Sequence, residues 1–291
     1  MNTRAWNLMS PQRFRPWQRW QGLRQTPPGT ALSGLFLLLI LAAAIHPALF
    51  TSSDPFAIAP RQAFQAPDFR HWLGTDSSGR DVFARLVYGA RQSLVIGVAA
   101  MTLAMVIALL LGVTAGLGGR RLDAVVSAGL NVCFAFPPLV LALLMVAAFG
   151  TGLLPLIIAT GVGASPGYAR MVRGQVLGVR QAGYIQAATV LGHAPAGVLL
   201  RQVIPNTLRP LVVTLTMGIG QMIVWASALS FLGLGEPPPS PEWGTMLSMG
   251  RDFVATAWWL TCMPGLVIVL VALTTTVLGR HLQRKLEGRL A

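Results

Sequence analysis

Residues 178–209 read GVRQAGYIQAATVLGHAPAGVLLRQVIPNTLR. This is the longest interval in the second half of the chain without a membrane-length apolar run, and it carries Arg180, Arg201 and Arg209 with no acid. Such a segment belongs in water. Its pattern is that of two short helices. Tyr184, Ala187, Ala188 and Leu191 recur at helical spacing on one face, which predicts a first helix whose small alanines on that face leave room for close approach. Gly192 stands where that helix ends in the left-handed conformation. Pro195 suits the first turn of a second helix, because its missing N–H would be unpaired there anyway. That helix, residues 196–203, is expected to stop before Pro205.

Around this segment the composition is that of a membrane protein. Of the 291 residues, 54% are hydrophobic and 11% charged, and the mean hydropathy is +0.61, whereas soluble domains carry about 25% charge. The net charge of +13 comes almost wholly from arginine, clustered between apolar runs rather than along one face, which is the mark of topology and not of nucleic-acid binding. Cys133 and Cys262 lie within apolar runs and form no CxxC motif, and the four histidines have no ligand spacing, so no disulfide framework and no metal site is expected.

Six apolar runs, at residues 31–50, 92–117, 124–149, 153–168, 210–232 and 257–279, predict an all-α polytopic protein with six membrane helices. The organisation is a tail (1–30), a first span with a polar segment (31–90), a core (91–280) and a second tail (281–291). The fourth run is short, and a backbone break is expected at Ser165-Pro166-Gly167. The segments 1–30, 118–123, 169–209 and 280–291 together hold 16 bases and two acids, against six bases and seven acids elsewhere. The positive-inside rule therefore puts both termini and the 178–209 loop in the cytoplasm. On the other side, Thr75 to Gly79 is turn chemistry, with Asp76 and Asp81 read as turn and helix-cap residues rather than a calcium loop. After the fifth run, Pro237 to Pro239 with Pro241 predict a stiff connector, and Trp243, Trp258 and Trp259 are expected at the membrane interface.

Three stretches carry a family resemblance. Gln186-Ala187-Ala188, then Gly192, then Val203-Ile204-Pro205 resemble the "EAA" coupling loop of ABC-importer permeases, with Gln186 standing where the pattern has an acid. HWLGTDSSGRDVFARLVYGARQSL, residues 71–94, and FLGLG, PPP and PEWG within residues 231–244, are similar to the dipeptide, oligopeptide and nickel branch of those permeases. The resemblance implies the type I ABC importer permease fold and an inner-membrane location. It also implies a homologous second permease subunit, two ATP-binding cassette ATPases and an extracytoplasmic solute-binding protein. Tyr184, Gln186, Ala187, Ala188, Gly192 and Pro205 would then couple the chain to the ATPase, and the cargo would be a peptide, with nickel as the alternative.

The chemistry absent from the sequence agrees. None of the apolar runs from Gln92 to Gly279 contains Asp, Glu, Lys or Arg, as a proton- or sodium-driven carrier would need. There is no GxxxxGK[ST] phosphate loop, no HExxH and no Ser/His/Asp set, so neither bound ATP, another cofactor nor enzymatic activity is expected. Asn131 and Gln221 are the notable polar groups in the spans and are candidates to line a path or to join helices. A non-transport membrane protein is the competing class.

Overall fold

The computed structural model describes residues 27–286. Ten helices carry the architecture of the described residues: α1 Pro28–Ile45, α2 Val82–Leu117, α3 Gly119–Ala135, α4 Pro138–Phe149, α5 Leu153–Arg180, α6 Gly183–Val190, α7 Pro195–Val198, α8 Ile204–Phe231, α9 Trp243–Gly250 and α10 Trp259–Leu286. Among these residues there is no strand, only an isolated bridge between Thr75 and Asp81. Most of residues 1–30 and the end of the second tail lie outside the described residues.

Among the described residues, four helical stretches are long and apolar enough to cross a membrane, and five if the bent pair α3 and α4 counts as one span. The remaining predicted span lies on α5, whose 28 residues give about 42 Å at 1.5 Å per residue. Its second half carries Arg170, Arg173 and Arg180. The central helix is α2. Its 36 residues make about 54 Å, well beyond the ~30 Å apolar core of a bilayer, so the helix joins both ends of the molecule. Lipid supplies no hydrophobic drive between helices, and small residues must let backbones approach. A Cβ at Gly112 of α2 would come within 2.7 Å of Val172 on α5, and one at Gly97 would overlap Ile223 on α8.

Proline accounts for most departures from the predicted boundaries. α1 ends at Ile45 rather than near Phe50, because Pro47 drives His46 out of helical geometry. The third run is two helices bent by 89°. Phe136, extended at ψ 134°, precedes Pro137 and Pro138, whose missing N–H groups end the ladder. The break expected at Ser165-Pro166-Gly167 is absent. Pro166 cannot bond the carbonyl of Val162, but the Ser165 hydroxyl donates to it at 2.9 Å, and α5 runs through. The helix expected to stop before Pro205 also continues. Leu199–Val203 forms a π turn in which the Ile204 N–H bonds the Leu199 carbonyl, and α8 follows directly. This wider turn accommodates a proline that an ordinary helix interior would not.

Candidate functional site

The loop of residues 178–209 closes one end of the bundle. Ala182 is extended and begins α6, and the Ile185 and Gln186 N–H groups bond its carbonyl. The helix ends in a Schellman motif. Gly192 has φ +80°, its N–H bonds the Thr189 carbonyl at 3.0 Å, and the His193 N–H bonds the Ala188 carbonyl at 3.2 Å. Gly192 is left-handed, as the sequence predicts.

The face of α6 differs from the expected one. Ile185 and Ala188 turn inward and pack with Val198 and Val203, backed by Leu117 of α2, Val179 of α5 and Leu199. Ala188 is therefore corrected from an outward contact to a core residue of the chain's own loop. Tyr184, Ala187, Val190 and Leu191 form the outward stripe, with Val190 87% and Leu191 78% exposed. Pro205 is exposed at the start of α8. Gln186 has a role the sequence did not reveal, since its amide Nε2 donates to the Gln181 carbonyl at 3.2 Å, at the end of α5. An ionised glutamate has no proton to give there. Arg180 ties the same end to α2 by donating to the Gly116 carbonyl at 2.6 Å.

The two polar span residues are not brought together. Asn131 on α3 accepts from Arg170 Nη2 at 3.0 Å, and that guanidinium lies 3.9 Å from the centre of the Phe134 ring. One helical step away, Arg173 Nη2 donates to Asp123 at 2.7 Å, so α5 is pinned to α3 twice. Gln221 is exposed on α8, and no hydrogen bond joins it to Asn131.

The other end of α2 carries a polar clamp that sequence reasoning missed. Asp81 caps α2 by accepting from the Ala84 N–H at 2.7 Å, as predicted. Asp76 accepts from the Ser78 and Arg80 N–H groups and from Arg80 Nε at 2.7 Å, holding the turn. Arg85, 1% exposed, sits between three segments. Its Nη1 donates to the carbonyls of Pro55 at 3.4 Å and Pro239 at 3.3 Å, and its Nη2 to Ser240 at 3.1 Å, while Nε lies 3.7 Å from Asp76. Glu242, also 1% exposed, caps α9 by accepting from the Gly244 and Thr245 N–H groups, both at 2.8 Å. Burial pushes its carboxyl above the usual range, although these bonds pull the other way.

Trp243 and Trp259 are corrected from interface to core. The Trp243 indole N–H reaches the Leu86 carbonyl at 3.0 Å, its backbone N–H reaches Ser93 Oγ at 3.1 Å, and the Trp259 indole bonds the Thr75 carbonyl at 3.2 Å. Buried indoles need such partners. Trp258 alone of the three stays exposed. The "connector" is thus a packed anchor. An acid directly before a tryptophan in PEWG was the available signal, since it reads equally as a helix cap.

Residues 108–288 match the family described as "Binding-protein-dependent transport system inner membrane component". This chain belongs to that family. Both the α6–α7 loop and the PEWG anchor lie inside the matched region of this inner membrane component, and Arg85 lies before it. The chain is 38% identical to a dipeptide transport system permease protein of Alkalihalophilus pseudofirmus, over 89% of this chain and 86% of the relative. It is 35% identical to a probable D,D-dipeptide transport system permease protein of Escherichia coli, over 90% and 88%. It is 36% identical to a glutathione transport system permease protein from another Escherichia coli strain, over 98% and 95%. Among solved structures, an inward-facing MetNI methionine ABC transporter chain aligns over 70% of this chain and 97% of its own with a TM-score of 0.58 at 21% identity. An amino acid ABC transporter chain aligns over 70% and 94% with a TM-score of 0.55 at 17% identity. These likenesses place the fold among ABC importer permeases.

Proposed function

We propose that this chain is the permease subunit of an ATP-driven importer that carries peptides across the inner membrane, with ATP hydrolysed by separate cassette subunits bound at the α6–α7 loop. The observation that carries the reading is the outward apolar stripe Tyr184, Ala187, Val190 and Leu191 on a helix whose inner face is packed onto α2, α5 and the start of α8. An apolar stripe in water calls for a cover, and the peptide and glutathione names of the relatives supply the cargo class. Gln186, Gly192 and Pro205 shape this docking loop, and a homologous second permease and an extracytoplasmic binding protein complete the importer. The arginine count supports an orientation with both termini and the loop in the cytoplasm and the Arg85 clamp outside.

In this mechanism, closure of the ATPases displaces α6. The cluster Ile185, Ala188, Val198 and Val203 passes the displacement to α2, α5 and, through the π turn, to α8. The spans from α2 to α10 then rock and open the path to the other side, with Asn131 and Gln221 as candidate lining residues.

The test is ATP-dependent uptake of a labelled dipeptide into vesicles holding the assembled importer. Leu191→Glu puts a charge on the outward stripe without touching the core. It is expected to insert and fold as wild type while losing ATPase association and uptake. Full uptake by this variant would overturn the docking assignment. Orientation is checked separately with an impermeant thiol reagent, which should label Ser77→Cys from outside and Gln181→Cys only after the membrane is opened. The reverse pattern would invert the topology.

A further inference from the structure

The last two turns of α1 and the first turns of the membrane-length part of α2 enclose an open groove of about 480 Å³, lined by Leu41, Ala44, Ile45, Arg91, Leu94, Val95, Val98 and Ala99. On α2 these positions recur at i, i+3, i+4, i+7 and i+8, so one helix face forms one wall. Among the described residues, Arg91 is the only charged one in the groove, is exposed, and forms no ion pair or hydrogen bond. It stands at the end of the groove nearer the polar clamp, and the apolar wall extends from it for about 12 Å along α2. An arginine at the end of a membrane span reaches into the headgroup layer, and a phosphate group is the anion its guanidinium fits best.

We propose that this groove binds one membrane phospholipid, with the phosphate on Arg91 and an acyl chain against Leu41, Ile45, Leu94, Val95 and Val98. The lipid fills the seam between α1 and α2 and supports the packing of α1, the least buried of the membrane-length helices among the described residues. The apolar wall requires the acyl chain as well as the phosphate, so inorganic phosphate alone does not occupy the site.

The experiment is native mass spectrometry of the full chain in mild detergent, titrated with phosphatidylglycerol, with inorganic phosphate in a parallel arm. Wild type is expected to retain one phosphatidylglycerol and to show no phosphate adduct. Arg91→Gln should weaken lipid binding about tenfold, the loss of one charge-assisted bond, and Arg91→Lys should restore part of it. Val98→Trp, at an exposed position, should fill the groove and abolish retention. Two results would overturn the proposal. One is equal retention of lipid by wild type, Arg91→Gln and Val98→Trp. The other is efficient disulfide formation, in the assembled importer, between Val95→Cys and a cysteine on the second permease, which would place protein in the groove.

Discussion

The two ends of α2 are built on different principles. At one end, Arg85, Glu242 and Trp243 are almost fully buried and tie residues 55, 76, 86, 93 and 239–240 to one another by directed bonds. At the other, α6 and α7 rest on four small or medium apolar residues, and their polar bonds are local caps and turns. A buried polar clamp has one satisfactory arrangement, because any displacement leaves charges and N–H groups unpaired. A small apolar cluster tolerates sliding at lower cost. The clamped end therefore serves as the fixed reference of the bundle, and the loop end is the one able to move as a unit under an applied force.

The largest expected effect breaks the clamp. Trp243→Ala removes a fully buried indole and its hydrogen bond to the Leu86 carbonyl on α2, while the backbone bond to Ser93 remains, and should cost about 3–5 kcal/mol. Thermal unfolding in detergent should show a markedly lower transition, and little folded chain should accumulate in the membrane. A variant as stable as wild type would mean that the PEWG segment is only a connector.

Ala188→Trp comes next. The ring cannot fit among Ile185, Val198 and Val203, and overpacking of this kind costs about 1–3 kcal/mol. Because that cluster is separate from the clamp, the bundle should still insert, while the loop is displaced and ATP-dependent uptake falls to near zero. Loss of the whole fold would show that the two ends are not energetically separate.

The smallest effect is at Gln186. Gln186→Glu loses the donated bond to the Gln181 carbonyl and should cost about 1 kcal/mol, visible as faster amide exchange at the end of α5 and a modest drop in uptake. Gln186→Ala should behave alike. If glutamate instead raised ATPase association, the position would act through charge on the partner rather than through this bond.

Much of this was legible in the residues. The left-handed Gly192, the Asp81 cap and the helical nature of every apolar run follow from local chemistry that the structure repeats. Other features depend on contacts that no local pattern encodes. Adjacent alanines at 187 and 188 lie on neighbouring stripes of one helix, and only the inward turn of the larger Ile185 decides which is buried. Proline rules predicted stops at 166 and 205, but the Ser165 hydroxyl rescues one orphan carbonyl and a π turn absorbs the other proline. Trp243 and Trp259 fit the aromatic-belt pattern by position, yet indole N–H partners at Leu86 and Thr75 draw them into the core. Arg85 and Glu242 look like ordinary loop charges until their distant partners are known.

Under the proposed docking, the Ala187 side of α6, and not the Ala188 side, meets the ATPase. Site-directed cross-linking in the assembled importer tests it directly, with single cysteines at Ala187 and Ala188 and a short bifunctional reagent. A covalent adduct is expected between Ala187→Cys and the ATPase subunit, reduced when nucleotide changes the interface, and none from the buried Ala188→Cys. An adduct from Ala188→Cys without one from Ala187→Cys, or none from either, would contradict it.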